Sequence, residues 1–254
     1  MDNDKVNHHI SGLFNKELED VCYKVLTMGG LVEQQLKLAI KALSLGDAEM
    51  AELVISQDSQ INDLEILINL ECNKVLAIRQ PKAFDLRLLL AIIKIIHELE
   101  RIGNNAKRIA EMAIKLLNTA HSMPKHDLDR MAELVNTMLN QALSTFARMS
   151  IEEVPAIIEC DKKVDLEYEN IVQLLINYMI EHPQNITQTL DILTTVHALE
   201  RIGDHARHIC EHLVFTIKGE NVRHLSLKKL TKKIKGQESI EHQSMRLVKD
   251  YYTI

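Results

Sequence analysis

The 254-residue chain contains no tryptophan, 8 glycines, 4 prolines and 4 cysteines without a C-x-x-C pair. So few glycines and prolines leave little material for hairpins and β-turns, which disfavours a strand-rich fold and suits long helices. Cys22, Cys72, Cys160 and Cys210 are too widely spaced for a zinc ribbon or a disulfide frame. They read as small hydrophobes of a reducing compartment. No run approaches the roughly 18 apolar residues of a membrane span. The best stretch, residues 88–96, is interrupted by Lys94. The start, MDNDKVNHHI, lacks the apolar centre of a secretory signal, so a cytoplasmic location is expected.

Catalytic signatures are missing as well. The chain has no G-x-x-x-x-G-K-[ST], no Gly-rich dinucleotide turn and no nucleophile motif. No histidine follows a glutamate by three residues, which removes the Glu-x-x-His signature of di-iron bundles. No catalytic residue and no organic cofactor are expected. Net charge is -6, and residues 225–254 hold seven Lys/Arg against three Asp/Glu, so the body is more acidic than the total suggests. An acidic body excludes nucleic acid as the main partner and attracts cations.

What the chain does have is an internal repeat. Residues 97–111 read HELERIGNNAKRIAE and residues 197–211 read HALERIGDHARHICE, with nine of fifteen positions identical at a constant offset of 100. Chance would give about one identity. The helical periodicity before each copy implies that the whole half is duplicated. In the first half, apolar spacing predicts helices over residues 13–43, from Asp47 to about Arg79, and over about 84–117. Gly29-Gly30 marks a cheap bend in the first, Gly46 and the Asp47 cap separate first from second, and Pro81 separates second from third. In the second half, helices are predicted over about 126–148, 152–181 and 186–217, with Pro155 in a first turn and His182-Pro183 as a stop. Helices of about 30 residues span roughly 45 Å, and short loops force neighbours antiparallel. The predicted fold is all-α: two tandem, pseudo-symmetric antiparallel three-helix bundles at 1–121 and 122–224. A basic C-terminal tail at 225–254 follows, read as a loosely docked helix or frayed end, or as a contact for an acidic surface.

The repeated segment carries polar residues on one face. At about 100° per residue, His197, Glu200, Asp204, His208 and Glu211 fall within an arc of about 80°. The preceding helix sets Asp161 and Asp165 one turn apart, with Tyr168 on the same side. Carboxylates at i and i+4 can share a hard cation, and oxygen donors favour Mg, Mn, Ca or Fe over Zn. The first half is poorer: its stripe is His97, Glu100, Asn104, Arg108 and Glu111, beside Asp58 and Asn62. Amide oxygens coordinate without charge, so tighter binding is expected in the second half. The plain alternative is a solvated face paired with Arg101, Arg201 and Arg207. His205 and His212 read as ordinary surface histidines, and the methionines as core filler.

These segments also carry a family resemblance. FNKELEDVCYKVLTMGGLVEQQL (14–36), DSQINDLE (58–65), RQPKAFDLR (79–87) and ELERIGNNA (98–106) resemble the first half of the PhoU family. DKKVDLEYE (161–169), ALERIGDHARHICE (198–211) and FTIKGENVRH (215–224) resemble its second half. The resemblance implies paired three-helix bundles, often as a homodimer. It also implies a multinuclear metal cluster, reported as iron in some members, held by acidic motifs. Those motifs correspond here to Asp58/Asn62, Glu100/Asn104, Asp161/Asp165 and Glu200/Asp204. The implied function is negative regulation of phosphate uptake and of the phosphate-starvation response. The implied partners are the phosphate ABC transporter ATPase subunit (PstB) and the sensor histidine kinase (PhoR), with any membrane reached only through them. Two other classes stay open on the residues: a metal-dependent enzyme acting on phosphorylated substrates, and a phosphotransfer bundle using His97 or His197.

Overall fold

Local chemistry sets the helix ends where the sequence places them. In the computed structural model, which describes residues 3–117, 125–223, 225 and 227–235, the first bundle comprises α1 (Asn3–Leu45), α2 (Ala48–Arg79) and α3 (Ala83–Leu116). The second comprises α4 (Lys125–Ala147), α5 (Val154–Glu181) and α6 (Ile186–Lys218), and α7 (Leu227–Lys235) follows. Every regular element among the described residues is helical. Gly46 turns the chain at φ 67°, and Asp47 then caps α2 by accepting from the Met50 N–H at 3.0 Å. Pro155 lies in the first turn of α5, where its missing N–H costs nothing. Gly219 closes α6 in the left-handed region, its N–H donating to the Phe215 carbonyl.

Each bundle buries an aliphatic stripe. Val25, Val32, Leu36, Ile61, Ile68, Ile92 and Leu99 are sealed in the first, and Val135, Met138, Val164, Ile171, Val196 and Ile202 in the second. The bundles then join through equivalent helices. Arg87 near the start of α3 donates to the Thr216 carbonyl near the end of α6 at 3.0 Å, so α3 and α6 run antiparallel. Gly29 meets Leu143, Asn140 donates to Glu33 at 3.0 Å, and Ser44 donates to Asp129. Those pairings make α1 and α4 antiparallel too. Each seam helix therefore faces its own repeat counterpart.

One detail differs from expectation: α1 runs unbroken through Gly29-Gly30. Gly29 is buried, and a Cβ there would stand 2.5 Å from a Leu143 methyl. Its role is to let α4 approach. In the tail, α7 is a docked helix: Leu230 and Ile234 are buried, while Lys229, Lys232 and Lys233 stay exposed. The expected boundary at 121/122 falls outside the described residues, as do residues 236–254 of the tail. Among the described residues, no helix is long and apolar enough to cross a membrane.

Candidate functional site

The predicted residues lie on the facing middle and last helices of each bundle, and among the described residues their donor atoms do not form a group of three within 4.8 Å of one another. In the second bundle, α5 contributes Asp161 and Asp165 and α6 contributes Glu200 and Asp204. Asp161 is buried, Glu200 and Asp204 are half-buried, and Asp165 is exposed. Arg207 lies among them. Its Nη2 donates to Asp204 Oδ1 at 2.7 Å, and its Nη1 donates to Glu211 Oε1 at 2.7 Å. Its Nε is 2.7 Å from Asp161 Oδ2, yet that N–H makes no hydrogen bond. The Asp161 contact is one of charge at an unfavourable angle.

Electrostatics show that the group is short of positive charge. Burial pushes the Asp161 carboxyl up to about 6, and Asp165, Asp204 and Glu211 add to the rise against the opposing pull of Arg207. Burial also raises Asp165 and Glu200, with neighbouring Asp204 the next cause in both. The Arg207 guanidinium, with Arg201 acting on Glu200, does not balance five carboxylates. Oxygen donors under mutual repulsion are suited to a hard cation.

The first bundle repeats the plan with fewer charges. Asp58 on α2 is buried and receives Lys107 Nζ from α3 at 3.1 Å. Asn104 donates to Glu100 Oε1 at 2.5 Å, and Asn62 is half-buried on α2. Asp58 Oδ1 and Glu100 Oε2 are buried without a hydrogen-bond partner. Arg101 Nε lies 3.8 Å from Glu100 Oε2, an ion pair without a hydrogen bond.

The polar stripe of α6 does not act as one set. Glu200, Asp204 and Glu211 turn toward α5, whereas His208 turns to Glu98 on α3, 3.4 Å from its Oε2. His205 and His212 are not ordinary surface side chains. His205 Nδ1 lies 2.6 Å from Glu98 Oε2 and His212 Nε2 lies 3.6 Å from Oε1. All three imidazoles are about four-fifths covered. The available signal was their spacing: at i, i+3 and i+7 they share an arc of about 60°, offset from the carboxylates. Burial raises the Glu98 carboxyl, but the hydrogen bonds with His205 and His208 and the nearby His212 outweigh it and hold the group well below the usual carboxylate range. His97 and His197 are both exposed. Burial and the nearby Arg201 and Arg108 lower the His197 imidazole, and Tyr168 packs on its ring at 6.1 Å.

Fold and site define a class: duplicated three-helix bundles, each with an acidic group between its second and third helices. The PhoU domain matches residues 25–113 and 128–213, once per bundle. The chain is 44% identical over 225 residues to the phosphate-specific transport system accessory protein PhoU of Serratia marcescens, covering 89% of this chain and 93% of that protein. It is 42% identical over 239 residues to the protein of the same name from Escherichia coli, covering 94% and 99%. The crystal structure of PhoU from Pseudomonas aeruginosa superposes with a TM-score of 0.79 at 41% identity, over 82% of this chain and 100% of that one. The phosphate transport system regulatory protein PhoU from Streptococcus pneumoniae gives 0.77 at 31%, over 82% and 99%. This chain belongs to the PhoU family.

Proposed function

We propose that the chain is a regulatory accessory protein of a phosphate-specific transport system, acting on the cytoplasmic side as a negative regulator of uptake and of starvation signalling. The observation that carries this reading is that both bundles match proteins named phosphate-specific transport system accessory protein PhoU along nearly their full length. The finer reading is an adaptor between the transporter ATPase and a sensor histidine kinase. Its support is surface chemistry. On α2, Ile66, Leu70 and Ile78 are more than half exposed, as are Leu166 and Ile180 on α5. Ile66 and Leu70 stand one turn apart on α2, and neighbouring exposed apolar side chains of this kind suit protein contacts. The adaptor works by population shift: one nucleotide state of the ATPase binds it more tightly than the other, which changes how much is free for the kinase.

Asp161, Asp165, Glu200 and Asp204 would hold a hard cation in the second bundle, and Asp58, Asn62, Glu100 and Asn104 in the first. Bound there, the ion would supply positive charge that fixes the second and third helices together. The protein's own part is to present ionised oxygens on a rigid frame, with Arg207 and Lys107 limiting their repulsion.

Affinity capture of the tagged chain from phosphate-replete and phosphate-starved cells tests the adaptor. The transporter ATPase and the kinase are expected to co-purify, in proportions that change with phosphate. Recovery of neither in any medium would overturn it.

A further inference from the structure

Glu98, His205 and His208 form a ligand set unlike the acidic motifs. One oxygen or nitrogen from each lies within 4.8 Å of the others. The set bridges the bundles, since Glu98 belongs to α3 and the histidines to α6. His205 and His208 stand one turn apart on one helix face, a spacing that lets two imidazoles address a common point. Side-chain exposures of 16% and 19% leave an entry path while shielding the site from bulk water.

We propose that Glu98, His205 and His208 bind a divalent transition cation of the zinc class at the seam between α3 and α6. Two imidazoles and one carboxylate match the borderline character of Zn²⁺ or Co²⁺, and do not match Mg²⁺ or Ca²⁺. Ligands about 2.0–2.1 Å from a tetrahedral ion are about 3.4 Å apart. The Glu98 Oε2 to His208 Nδ1 separation is already 3.4 Å. The 2.6 Å pair with His205 needs only a small ring movement to open that far. His212, 3.6 Å from the other oxygen, orients the carboxylate, as outer partners do at metal sites.

The repeat itself argues against a mere packing device. At the pseudo-equivalent place across the same seam, Ala198 stands for Glu98, and Asn105, Arg108 and Met112 stand for the three histidines. The helices therefore pack in this manner without such a cluster, and one end of the seam carries it in addition. The inference is separate from the regulatory reading, which concerns partners and the acidic motifs.

Titration of the full chain with Co²⁺, followed by visible absorption, tests it. One equivalent is expected to give the intense band of low-coordinate cobalt and to be displaced by Zn²⁺. His205→Gln/His208→Gln should weaken binding at least about 100-fold, with helicity unchanged by circular dichroism. Glu98→Gln, which keeps the shape of the cluster, should weaken it too. Asp161→Asn/Asp204→Asn should retain the band. Absence of saturable binding would overturn the proposal, and so would a band that survives both seam variants or disappears only with the acidic-motif variant.

Discussion

Lys107 and Arg207 occupy equivalent repeat positions, and each lays its cation on the buried aspartate of its own bundle's middle helix, Asp58 and Asp161. The match shows that the acidic groups are built around an internal positive charge, present before any ion is considered. The two copies differ in reach. An ammonium satisfies one carboxylate, whereas the planar guanidinium touches three.

Removing the guanidinium should therefore be costly. Arg207→Ala leaves Asp161 and Glu211 covered and unpaired, and is expected to lower unfolding free energy by about 3–5 kcal/mol. Arg207→Lys should lose less, and Lys107→Ala only about 1–3 kcal/mol. Urea denaturation followed by far-ultraviolet circular dichroism measures all three. Equal losses in Arg207→Ala and Lys107→Ala would contradict the difference in reach.

The acidic groups should also respond as cation sites. Freshly purified protein is expected to carry a hard metal ion by elemental analysis. Asp161→Asn/Asp204→Asn should reduce that content, since it removes two of the four charged donors of the second bundle. Unchanged content in the double variant would place the ion elsewhere.

Adjacent glycines in α1 should behave oppositely. Nothing lies within 4 Å of a Cβ placed at Gly30, so Gly30→Ala should stabilise by about 0.5–1 kcal/mol through helix propensity alone. Gly29→Ala gains the same propensity but drives into Leu143. It should end about 1–3 kcal/mol less stable than Gly30→Ala. Thermal melts of the pair distinguish a contact glycine from a bend.

Glu33 gives a pH signature at the α1–α4 seam. The Lys37 ammonium, opposed by burial and aided by Asn140, holds its carboxyl below the ordinary 4.5. A depressed folded value means that the stabilisation is present above the unfolded pKa and fades as pH falls through the folded one. Wild type should therefore exceed Glu33→Gln in stability at neutral pH, with the gap closing in acid. Urea midpoints at pH 7 and in acid test this; a gap that widens in acid would reverse the sign.

Much of the fold was legible because duplication and capping leave local marks. Asp47, Pro155 and the glycine turns set helix ends by chemistry within a few residues. Gly29 misled because its reason lies across space, on Leu143 of another helix. The i, i+4 spacing placed Asp161 with Asp165, and Glu200 with Asp204, on shared helix faces. What Arg207 does was not legible, since three partners converge on it from two helices. The Glu98 cluster was hidden for the same reason: the histidines are on α6, but the carboxylate that gathers them is on α3. A helical projection gives direction and does not give the neighbour.

The most direct test of the account is a starvation-responsive reporter in cells lacking the gene for this chain, grown in phosphate-rich medium. The reporter should be on without the chain, switch off when the chain is restored, and stay partly on when Asp161→Asn/Asp204→Asn is supplied at equal abundance. A reporter that remains off in the absence of the chain would contradict its role as a negative regulator.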